Sequence, residues 1–525
     1  MVTAATARSV ACPGMSSSSL NRRQFLRAGA AAGAGLVAFP GRAPAFIRSR
    51  PQLTHGIQSG DVTADAGFVW ARADRPSKML VEVASTPRFN HARRLRGPIL
   101  TPDHDFAGKV LVDDLPAGQP VFYRVTLEDF RGVRSEPLIG TFSTAPRWRR
   151  DVSFTWSGDL AGQGWGINPD IGGYRIFKTM AGLEPDFFLH SGDTIYADGP
   201  LTETVPLPGG RTWRNIVTPA KSKVCETLDD FRGAFAYNLL DENLRAFAAA
   251  VPQINQWDDH ETHNNWYPGQ ILADDRYTEK RADVLAARAR QAFFEWLPIA
   301  PRQRDEFGRI YRKISHGPLL DVFMLDMRTY KDPNGPDVYA DPTIGMLGPA
   351  QRAWLKRELA RSRATWKVIA NDLPLGLVVP DTPGTFEGVS QGDNGPPLGR
   401  ELEFAEILRF AHQQGVTGMV FLTADVHYTS AHQYDPSRAA VGDFTPFWEF
   451  VSGPLNAGAF GPNALDTTFG PQTVFSAAPP VANTSPADGF QFFGHVAIDG
   501  HSQVMTVTLY DLDGTSLFSV DLNRS

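Results

Sequence analysis

Acidic side chains and a tyrosine follow a short apolar run in the first half of the chain. Residues 187–189 (Phe-Phe-Leu) form that run, which is typical of a strand buried on both faces. Gly192 frees the backbone to turn, and Asp193 and Tyr196 follow it. Carboxylates just past the C-terminal end of a buried strand lie where open α/β sheets place their ligands. A carboxylate can bridge two cations and a phenolate favours ferric iron, so the stretch predicts a metal centre, although a capped turn is the commoner origin of so short a pattern.

Five further predicted strands end in a similar way. A single acidic or amide residue at a strand end is ordinarily a turn or helix-capping residue. Together, these residues would gather oxygens along one edge of one sheet, where uncompensated acids raise one another's pKa values. Cations remove that conflict, so the set as a whole favours a metal site. Its members are Asp159, Asp193, Asp259, Asp326, Asn371 and Asp425, the last followed by His427.

Two kinds of domain are expected to position these groups, because 525 residues exceed what one hydrophobic core normally holds. Residues 52–144 read as short strands separated by turn residues, without helical periodicity. This pattern predicts a β-sandwich of immunoglobulin or fibronectin-III type, which we place at residues 50–147. It contains no cluster of metal-binding or nucleophilic groups, so its expected role is to cover or position the second domain.

Strands alternate with helices after the predicted sandwich. This alternation predicts a layered α/β domain over residues 150–525. One long helical stretch is predicted over residues 227–250. Near the C-terminus, Asp-Gly pairs at residues 499–500 and 513–514 separate alternating runs and therefore predict hairpins.

The first 45 residues have the parts of an export signal. Arg22 and Arg23 precede a mildly apolar run over residues 28–39, and residues 43–45 (Ala-Pro-Ala) offer a small-x-small cleavage pattern. The run is too short to span a bilayer, so no transmembrane helix is expected in the mature chain. Residues 1–45 resemble a twin-arginine signal peptide, which predicts export by the twin-arginine machinery to the periplasm or the medium. The alternative is a disordered Ser-rich tail that happens to contain two arginines.

The composition excludes one class of partner. The chain is 42% hydrophobic and 21% charged, with a net charge of −6 and a pI of about 6.1. It has no block of basic residues, so no nucleic-acid-binding surface is expected. Cys12 lies in the predicted signal peptide and Cys225 stands alone, so the mature chain is expected to have no internal disulfide.

The order of the acidic groups resembles that of the calcineurin-like metallophosphoesterases. Gly192-Asp193-x-x-Tyr196 is the form used by purple acid phosphatases. Residues 257–261 (Trp-Asp-Asp-His-Glu) and 424–427 (Ala-Asp-Val-His) look like stretches of the alkaline phosphatase D (PhoD) family. The resemblance covers nearly the whole chain. It implies an α/β fold, a four-layer metallophosphoesterase-like sheet sandwich, preceded by a β-sandwich and a twin-arginine leader.

The resemblance also implies two metal ions. The ligands of ferric iron would be Asp159, Asp193, Tyr196 and His427. Those of Ca²⁺ would be the bridging Asp193 with Asp259, Asp425 and Asn371, where Asp372 is the alternative to Asn371. The best-known family members have a cysteine near the first strand end, where Asp159 restores the carboxylate of the wider superfamily. At Asp425 a carboxylate replaces an imidazole of the superfamily, which favours Ca²⁺ over Zn²⁺.

His260 matches the proton donor of the superfamily, and an imidazole is well tuned for that role near neutral pH. The alternative is a packed turn histidine hydrogen-bonded to Glu261. Further residues are expected to contact substrate or to support the ligands: Asp258, Glu261, His263, Asn264, Arg328 and His432.

The function that the resemblance implies is hydrolysis of small phosphate esters by an exported, metal-dependent enzyme. A metal-activated hydroxide would attack phosphorus, and His260 would protonate the leaving oxygen. A phosphodiesterase, including a phospholipase D-like enzyme of the same fold, is the alternative within enzymes. A non-catalytic exported binding protein is the alternative of a different class.

Overall fold

The computed structural model describes residues 50–299, 308–335 and 344–523, so the predicted signal peptide lies outside the described residues. Among these residues no helix is long and apolar enough to cross a membrane. The strands are β1 Leu53–Gly60, β2 Gly67–Ala73, β3 Ser77–Ala84, β4 Arg93–Leu100, β5 Ala107–Val112, β6 Pro120–Glu128, β7 Leu138–Ser143, β8 Val152–Ser157, β9 Phe187–Ser191, β10 Thr204–Pro206, β11 Thr212–Arg214, β12 Gln253–Gln256, β13 Arg312–His316, β14 Leu320–Met324, β15 Trp366–Ala370, β16 Met419–Thr423, β17 Thr429–Tyr434, β18 Phe447–Val451, β19 Pro471–Ala477, β20 Phe492–Ile498, β21 Met505–Asp511 and β22 Ser516–Leu522. The α-helices are α1 Arg175–Ala181, α2 Leu228–Asn238, α3 Glu242–Ala250, α4 Ala282–Trp296, α5 Gly348–Arg361 and α6 Glu401–Gln413.

Two large mixed sheets form the centre of the protein. The first has nine strands in the order β22-β21-β20-β8-β9-β12-β1-β2-β5, and the second has seven in the order β13-β14-β15-β16-β18-β17-β19. Strands β8, β9 and β12 of the first sheet are parallel, as are β14, β15 and β16 of the second. The expectation of one sheet is therefore wrong, because the six strands that precede the predicted acidic and amide groups are divided equally between two sheets.

Alternate side chains of the central strands face opposite layers. On β9, Leu189 packs between the two sheets, whereas Phe188 packs against α1 and α3. On β15, Val368 packs between the sheets and Ile369 packs in the core beneath α5 and α6. Strands that are apolar on both faces must be covered on both faces. The result is the layer order helix, sheet, sheet, helix.

The N-terminal strands form two sheets around a core of their own. Strands β1, β2 and β5 face the four-stranded sheet β4-β3-β6-β7 across apolar side chains that include Val69, Val81 and Val125. The β-rich character predicted for this region is confirmed. Strand β1 also continues the first large sheet, because its Gly60 pairs in parallel with Gln253 of β12. The N-terminal region is thus built into the sheet that carries part of the site.

Buried polar contacts fix the same region to the rest of the chain. Arg312 of β13 is almost fully buried and forms an ion pair with Asp61, directly after β1, at 2.7 Å. The Tyr123 hydroxyl on β6 donates to the Ala249 carbonyl oxygen of α3 at 3.1 Å. A buried ion pair fixes orientation more reliably than it adds stability. These contacts therefore hold the N-terminal region in one position on the α/β part.

The C-terminal hairpins are as predicted, whereas the long helix predicted over residues 227–250 is not. The predicted C-terminal hairpins are present, because β20, β21 and β22 pair in antiparallel fashion and β20 adds to β8. The single helix expected over residues 227–250 is instead two helices, α2 and α3. Asp241 separates them, since its side chain accepts the Leu244 N–H at 2.9 Å and caps the start of α3.

Candidate active site

The carboxyl ends of the central strands of both sheets meet at one place. Asp159 follows β8 and Asp193 follows β9 in the first sheet, whereas Asp425 follows β16 in the second. Side-chain ligand atoms lie within 4.8 Å of one another in three overlapping groups. The groups are Asp159, Asp193 and His427; Asp193, Asp259 and His260; and Asp258, Asp259 and Asp425. Because Asp193 and Asp259 are each shared by two groups, the three form one continuous acidic cluster.

The backbone bends sharply where it delivers these side chains. Four residues of the cluster have left-handed backbone, with φ values of 65°, 52°, 58° and 60° at Asp159, Asp193, Asp425 and His427. Such a conformation costs about 1–3 kcal/mol at a residue other than glycine. Gly192 adopts φ 96° next to them, and a Cβ atom at this position would lie 2.5 Å from the Asp258 Cβ. The interactions that these side chains make in the cluster therefore outweigh the free-energy cost of the strained backbone.

One end of the cluster combines a phenol, an imidazole and carboxylates. The Tyr196 hydroxyl lies 2.8 Å from Nε2 of His427. Nδ1 of His427 donates to the Gly458 carbonyl oxygen at 2.5 Å, which leaves the Nε2 lone pair on the side of the cluster. Both carboxylate oxygens of Asp159 are buried without a hydrogen-bond partner. Buried oxygens are rarely left unpaired, so this end has the donors and the open coordination of a metal site.

Arg328 is completely buried among the acids at the other end. Its guanidinium contacts Asp258 and Glu387. It also lies 3.2 Å from an oxygen of Asp425 and 3.7 Å from an oxygen of Asp259. A planar guanidinium with several donors suits such a position better than a lysine does. Arg328, which was predicted to support the ligands, thus neutralises part of the cluster.

The buried acids of the cluster differ in the direction in which their pKa values are shifted. Burial and the charge of Asp258 raise the pKa of Asp159 well above its usual range. Burial and the charge of Asp259 do the same to the pKa of Asp193. Burial also opposes ionisation of Asp259, but the charges of Arg328 and His260 hold its pKa below the usual value. Acids crowded in this way stay ionised at neutral pH only if further positive charge is bound.

His260 lies beside the cluster and is oriented by Asp198. Its Nδ1 is 2.7 Å from an Asp198 oxygen, and the other Asp198 oxygen accepts the Asn264 N–H at 2.9 Å. Burial lowers the pKa of His260, but the charges of Asp198 and Asp259 outweigh burial and raise it to about 9. The Tyr196 ring packs against the imidazole with a centroid distance of 4.2 Å and an interplanar angle of 32°. The ring is thus held in one orientation, with Nε2 left to exchange a proton.

Glu261 supports the strand ends from behind. Its carboxylate accepts backbone N–H groups of Asp193 at 3.2 Å, Thr194 at 2.7 Å and Asp258 at 2.8 Å. These bonds hold two strand ends in register with each other. The alternative of a His260 bonded to Glu261 is therefore wrong, since His260 pairs with Asp198 and Glu261 serves the backbone.

Two predicted residues lie away from the cluster. Nδ1 of His263 bonds to the Asn264 carbonyl oxygen at 2.9 Å, and its Nε2 lies 3.8 Å from Asp274. His432 lies on β17, where its ring nitrogen is 2.7 Å from the Ser430 hydroxyl. Both histidines are engaged by their own loop or strand, and their role in contacting substrate or supporting the ligands stays a prediction.

Asn371 and Asp372 follow β15 and are both fully buried. The two Asp372 oxygens accept N–H groups of Gln256 at 3.1 Å and of Met327 at 2.9 Å. The Asn371 amide nitrogen donates to the Leu373 carbonyl oxygen at 2.5 Å, while its oxygen has no partner. Of the two alternatives, only Asn371 keeps an open oxygen.

A cavity of about 650 Å³ opens over the cluster. His260, Asn264, Val378 and Phe460 are among its lining residues, and no lysine or arginine is among those described. The acidic side chains that line it are Asp193, Asp259, Asp381, Glu387 and Asp425. An anionic ligand could enter this cavity only if bound cations offset the acids. A separate cavity of about 250 Å³ near Leu408 contains none of the predicted site residues.

Three acidic residues of the site cannot be assigned from sequence patterns alone: Asp198, Asp381 and Glu387. Asp198 follows Tyr196 by two residues, but its partner His260 is known only from the fold. Glu387 and Asp381 lie between β15 and α6 on a segment without regular secondary structure, so no periodicity points to them. Spacing from the recognised motif could have suggested Asp198; no comparable signal existed for the other two.

Two facing mixed sheets with carboxylates, a phenol and imidazoles at their carboxyl ends define a metallophosphoesterase. A sequence model of the PhoD-like phosphatase family matches residues 154–509, and one of the PhoD-like phosphatase N-terminal domain matches residues 41–146. The chain belongs to the PhoD-like phosphatase family and is a phosphoric ester hydrolase. This family and fold imply metal cofactors, which the acidic cluster fits.

Individual relatives agree with this assignment. Alkaline phosphatase D of Bacillus subtilis (strain 168) is 28% identical over 438 residues, which cover 78% of this chain and 71% of that protein. A solved structure of PhoD is 22% identical, with a TM-score of 0.67, and the match covers 91% of this chain and 94% of that one. A purple acid phosphatase from yellow lupin seeds is 13% identical, with a TM-score of 0.56, over 90% of this chain and 74% of that one. The two solved structures establish the fold.

Removing the Arg328 guanidinium should destabilise the protein. Arg328→Met leaves Asp258 and Glu387 buried without their cation, and breaking a buried pair in this way costs about 3–5 kcal/mol. Arg328→Lys keeps the charge but not the planar guanidinium with its several donors, so its loss of stability should be smaller. Urea unfolding midpoints measure both. Arg94→Met is the control, because its ion pair with Glu82 is exposed and should not matter measurably; a similar midpoint for Arg328→Met and Arg94→Met would contradict this role.

Proposed function

We propose that this protein is an exported, alkaline phosphatase D-like enzyme that hydrolyses small phosphate esters with two bound metal ions. The observation that carries the proposal is the charge of the cavity, where five carboxylates line the wall and Arg328 behind them offsets only part of that charge. A phosphate ester is anionic, so it can be bound there only when cations balance these acids. Membership of a phosphatase family supports this chemistry.

The donor atoms favour a different ion at each end of the cluster. We propose that ferric iron is held by Asp159, Asp193, Tyr196 and His427. Ca²⁺ would be held by Asp193, Asp259, Asp425 and the open oxygen of Asn371. Carboxylate and amide oxygens are the ligands that Ca²⁺ prefers. When bound, such ions bind phosphoryl oxygens, offset developing charge and lower the pKa of water.

His260 is the proposed proton donor to the leaving oxygen. Asp198 acts as a positioning residue, since it holds Nδ1 and so leaves Nε2 to deliver the proton. The backbone N–H of Asn264 fixes the other Asp198 oxygen. With a pKa of about 9, His260 carries its proton at neutral and mildly alkaline pH and loses it as the pH rises through about 9.

A phosphodiesterase is the second candidate function. The cavity of about 650 Å³ is larger than a phosphate group requires. Its wall includes Val378, Val379 and Phe460, which offer apolar surface to a second ester substituent, including that of a phospholipid. The non-catalytic alternative is set aside, because the chain is a phosphoric ester hydrolase.

The proposal extends to export and domain organisation. Residues 1–45 would be a twin-arginine signal peptide, supported by the arginine pair and the short apolar run, and the enzyme would act in the periplasm or the medium. Residues 50–147 would form a fibronectin-III-type sandwich, supported by the arrangement of three strands against four. Residues 150–525 would be the catalytic domain, supported by the family match over residues 154–509.

Metal removal tests the proposed function directly. Purified protein should hydrolyse p-nitrophenyl phosphate, strong chelation should abolish the activity, and Ca²⁺ added together with iron should restore it, because the cavity acids then regain their counter-charge. Parallel assay of bis-p-nitrophenyl phosphate decides between monoester and diester preference. Full activity after metal analysis has verified the loss of both ions would contradict the proposal.

Iron bound to Tyr196 should give the protein a colour. A ferric phenolate absorbs visible light, so the purified enzyme should have a band that Tyr196→Phe removes while far-UV circular dichroism stays unchanged. Tyr237→Phe is the matched control, because that buried phenol bonds to the Ile216 carbonyl oxygen and lines no part of the cavity. A colourless wild type that is active and free of iron would refute the assignment.

Loss of the proposed acid should depend on the leaving group. A general acid contributes about 10²–10⁴-fold in rate, so His260→Ala should lose that much on an alkyl phosphate and much less on a nitrophenyl ester. The nitrophenolate oxygen hardly needs a proton, which explains the difference. Metal content should stay near that of the wild type. Equal losses on both substrates, together with depleted metal, would instead make His260 a ligand.

Asp198→Asn tests the positioning role through pH. Without the Asp198 charge the pKa of His260 should fall. In a plot of activity on an alkyl phosphate against pH, the alkaline limb, where activity declines, should therefore move to lower pH. In the wild type that limb is expected at or below pH 9, since bound cations would lower the pKa of about 9 further. A limb that does not move in Asp198→Asn would exclude this role.

A further inference from the structure

A second acidic group lies outside the active site. Ligand oxygens of Asp393, Glu401 and Asp466 lie within 4.8 Å of one another. Asp393 belongs to the segment before α6, Glu401 is the first residue of α6, and Asp466 lies between β18 and β19. None of the three lines the active-site cavity. Three separate parts of the chain therefore bring their carboxylates to one point.

Glu401 supplies an independent observation that points to a ligand at this place. Its side chain is fully buried, with 0% exposure. One carboxylate oxygen accepts the Leu398 N–H at 3.1 Å, whereas the other, Oε1, is buried without a hydrogen-bond partner. The hydroxyl of nearby Ser390 does not satisfy it, because it donates to the Leu375 carbonyl oxygen at 2.9 Å. An orphaned carboxylate oxygen beside two other acids is satisfied either by a shared proton or by a bound cation.

The charges of the group are also not balanced by the protein. Asp466 is fully buried and accepts backbone N–H groups of Gly392 at 2.7 Å and Thr468 at 2.8 Å. Within the described chain, no lysine or arginine forms an ion pair with Asp393, Glu401 or Asp466. Buried acids in contact either share protons or bind a cation. An all-oxygen set of three carboxylates, with Asp393 exposed to solvent, suits a hard cation that enters from outside.

We propose that Asp393, Glu401 and Asp466 bind one divalent cation of the Ca²⁺ class and that this ion stabilises the wall of the active-site cavity. The Asp466 N–H donates to the Gly376 carbonyl oxygen at 3.0 Å. The same two segments are joined again two residues away, since the Val378 N–H donates to the Ala464 carbonyl oxygen at 2.9 Å. Val378 and Ala464 line the cavity, so a cation at Asp466 fixes the base of that wall.

Calcium binding by the full chain tests this site. Equilibrium dialysis should show one Ca²⁺ fewer per chain in Asp393→Asn than in the wild type, or an affinity for it lowered about tenfold or more, because ligand charge sets affinity. Iron content should not change. Added Ca²⁺ should raise the melting temperature of the wild type more than that of Asp393→Asn. Asp275→Asn, which removes an exposed acid outside both clusters, should behave as the wild type does.

Two further variants make the result decisive. Glu401→Gln should show the same loss as Asp393→Asn, and if it fails to fold, the exposed Asp393→Asn still decides. Asp425→Asn should lose the Ca²⁺ proposed for the active site and keep the Ca²⁺ of the second acidic group. The double variant Asp393→Asn with Asp425→Asn should lose both ions. The three variants therefore test this site separately from the proposed function. If Asp393→Asn keeps the wild-type Ca²⁺ stoichiometry, affinity and Ca²⁺-dependent melting temperature, the three acids share protons instead and the site does not exist.

Discussion

Crowding of buried carboxylates is the constraint on which the rest of the structure depends. Asp159, Asp193, Asp259 and Asp425 are nearly or fully buried and belong to one continuous cluster. Two like charges about 4 Å apart repel by roughly 4 kcal/mol at an effective dielectric constant of 20, and a whole domain is stable by only about 5–15 kcal/mol. The cluster therefore needs compensating charge. Arg328 supplies part of it, and the metal cofactors that the family implies would supply the rest.

The fold meets this constraint by directing rigid elements at one point. Three strands of each sheet end there, and their apolar side chains are fixed by packing on both faces. Strained backbone follows three of these strands, at Asp159, Asp193 and Asp425, and Glu261 ties two of the strand ends together through their N–H groups. Sites on such elements hold their geometry better than sites on free loops. The strain is tolerated because the surrounding packing leaves no alternative.

The segment between β15 and α6 reaches the site without regular structure. It carries Glu387, which contacts Arg328 of the acidic cluster, and Asp393, which belongs to the second acidic group. Arg400 anchors it by donating to the carbonyl oxygens of Glu387 at 2.8 Å and of Gly388 at 3.1 Å. Polar anchors thus replace the hydrogen bonds that a strand or helix would supply. One irregular segment can therefore link two charged centres.

The sequence by itself determined the apolar strands, the acidic residues at their ends and the family motifs around Asp193 and His427, because these depend on local spacing and residue chemistry. The strand patterns could not show that the strands divide between two sheets, since a strand buried on both faces has the same pattern in either; only the family resemblance implied a sheet sandwich. Nor could the sequence separate His260, which pairs with Asp198, from His432, which is engaged by its own strand. Only tertiary structure decides such partners, because contacts between residues distant in the chain leave no periodic trace in one sequence.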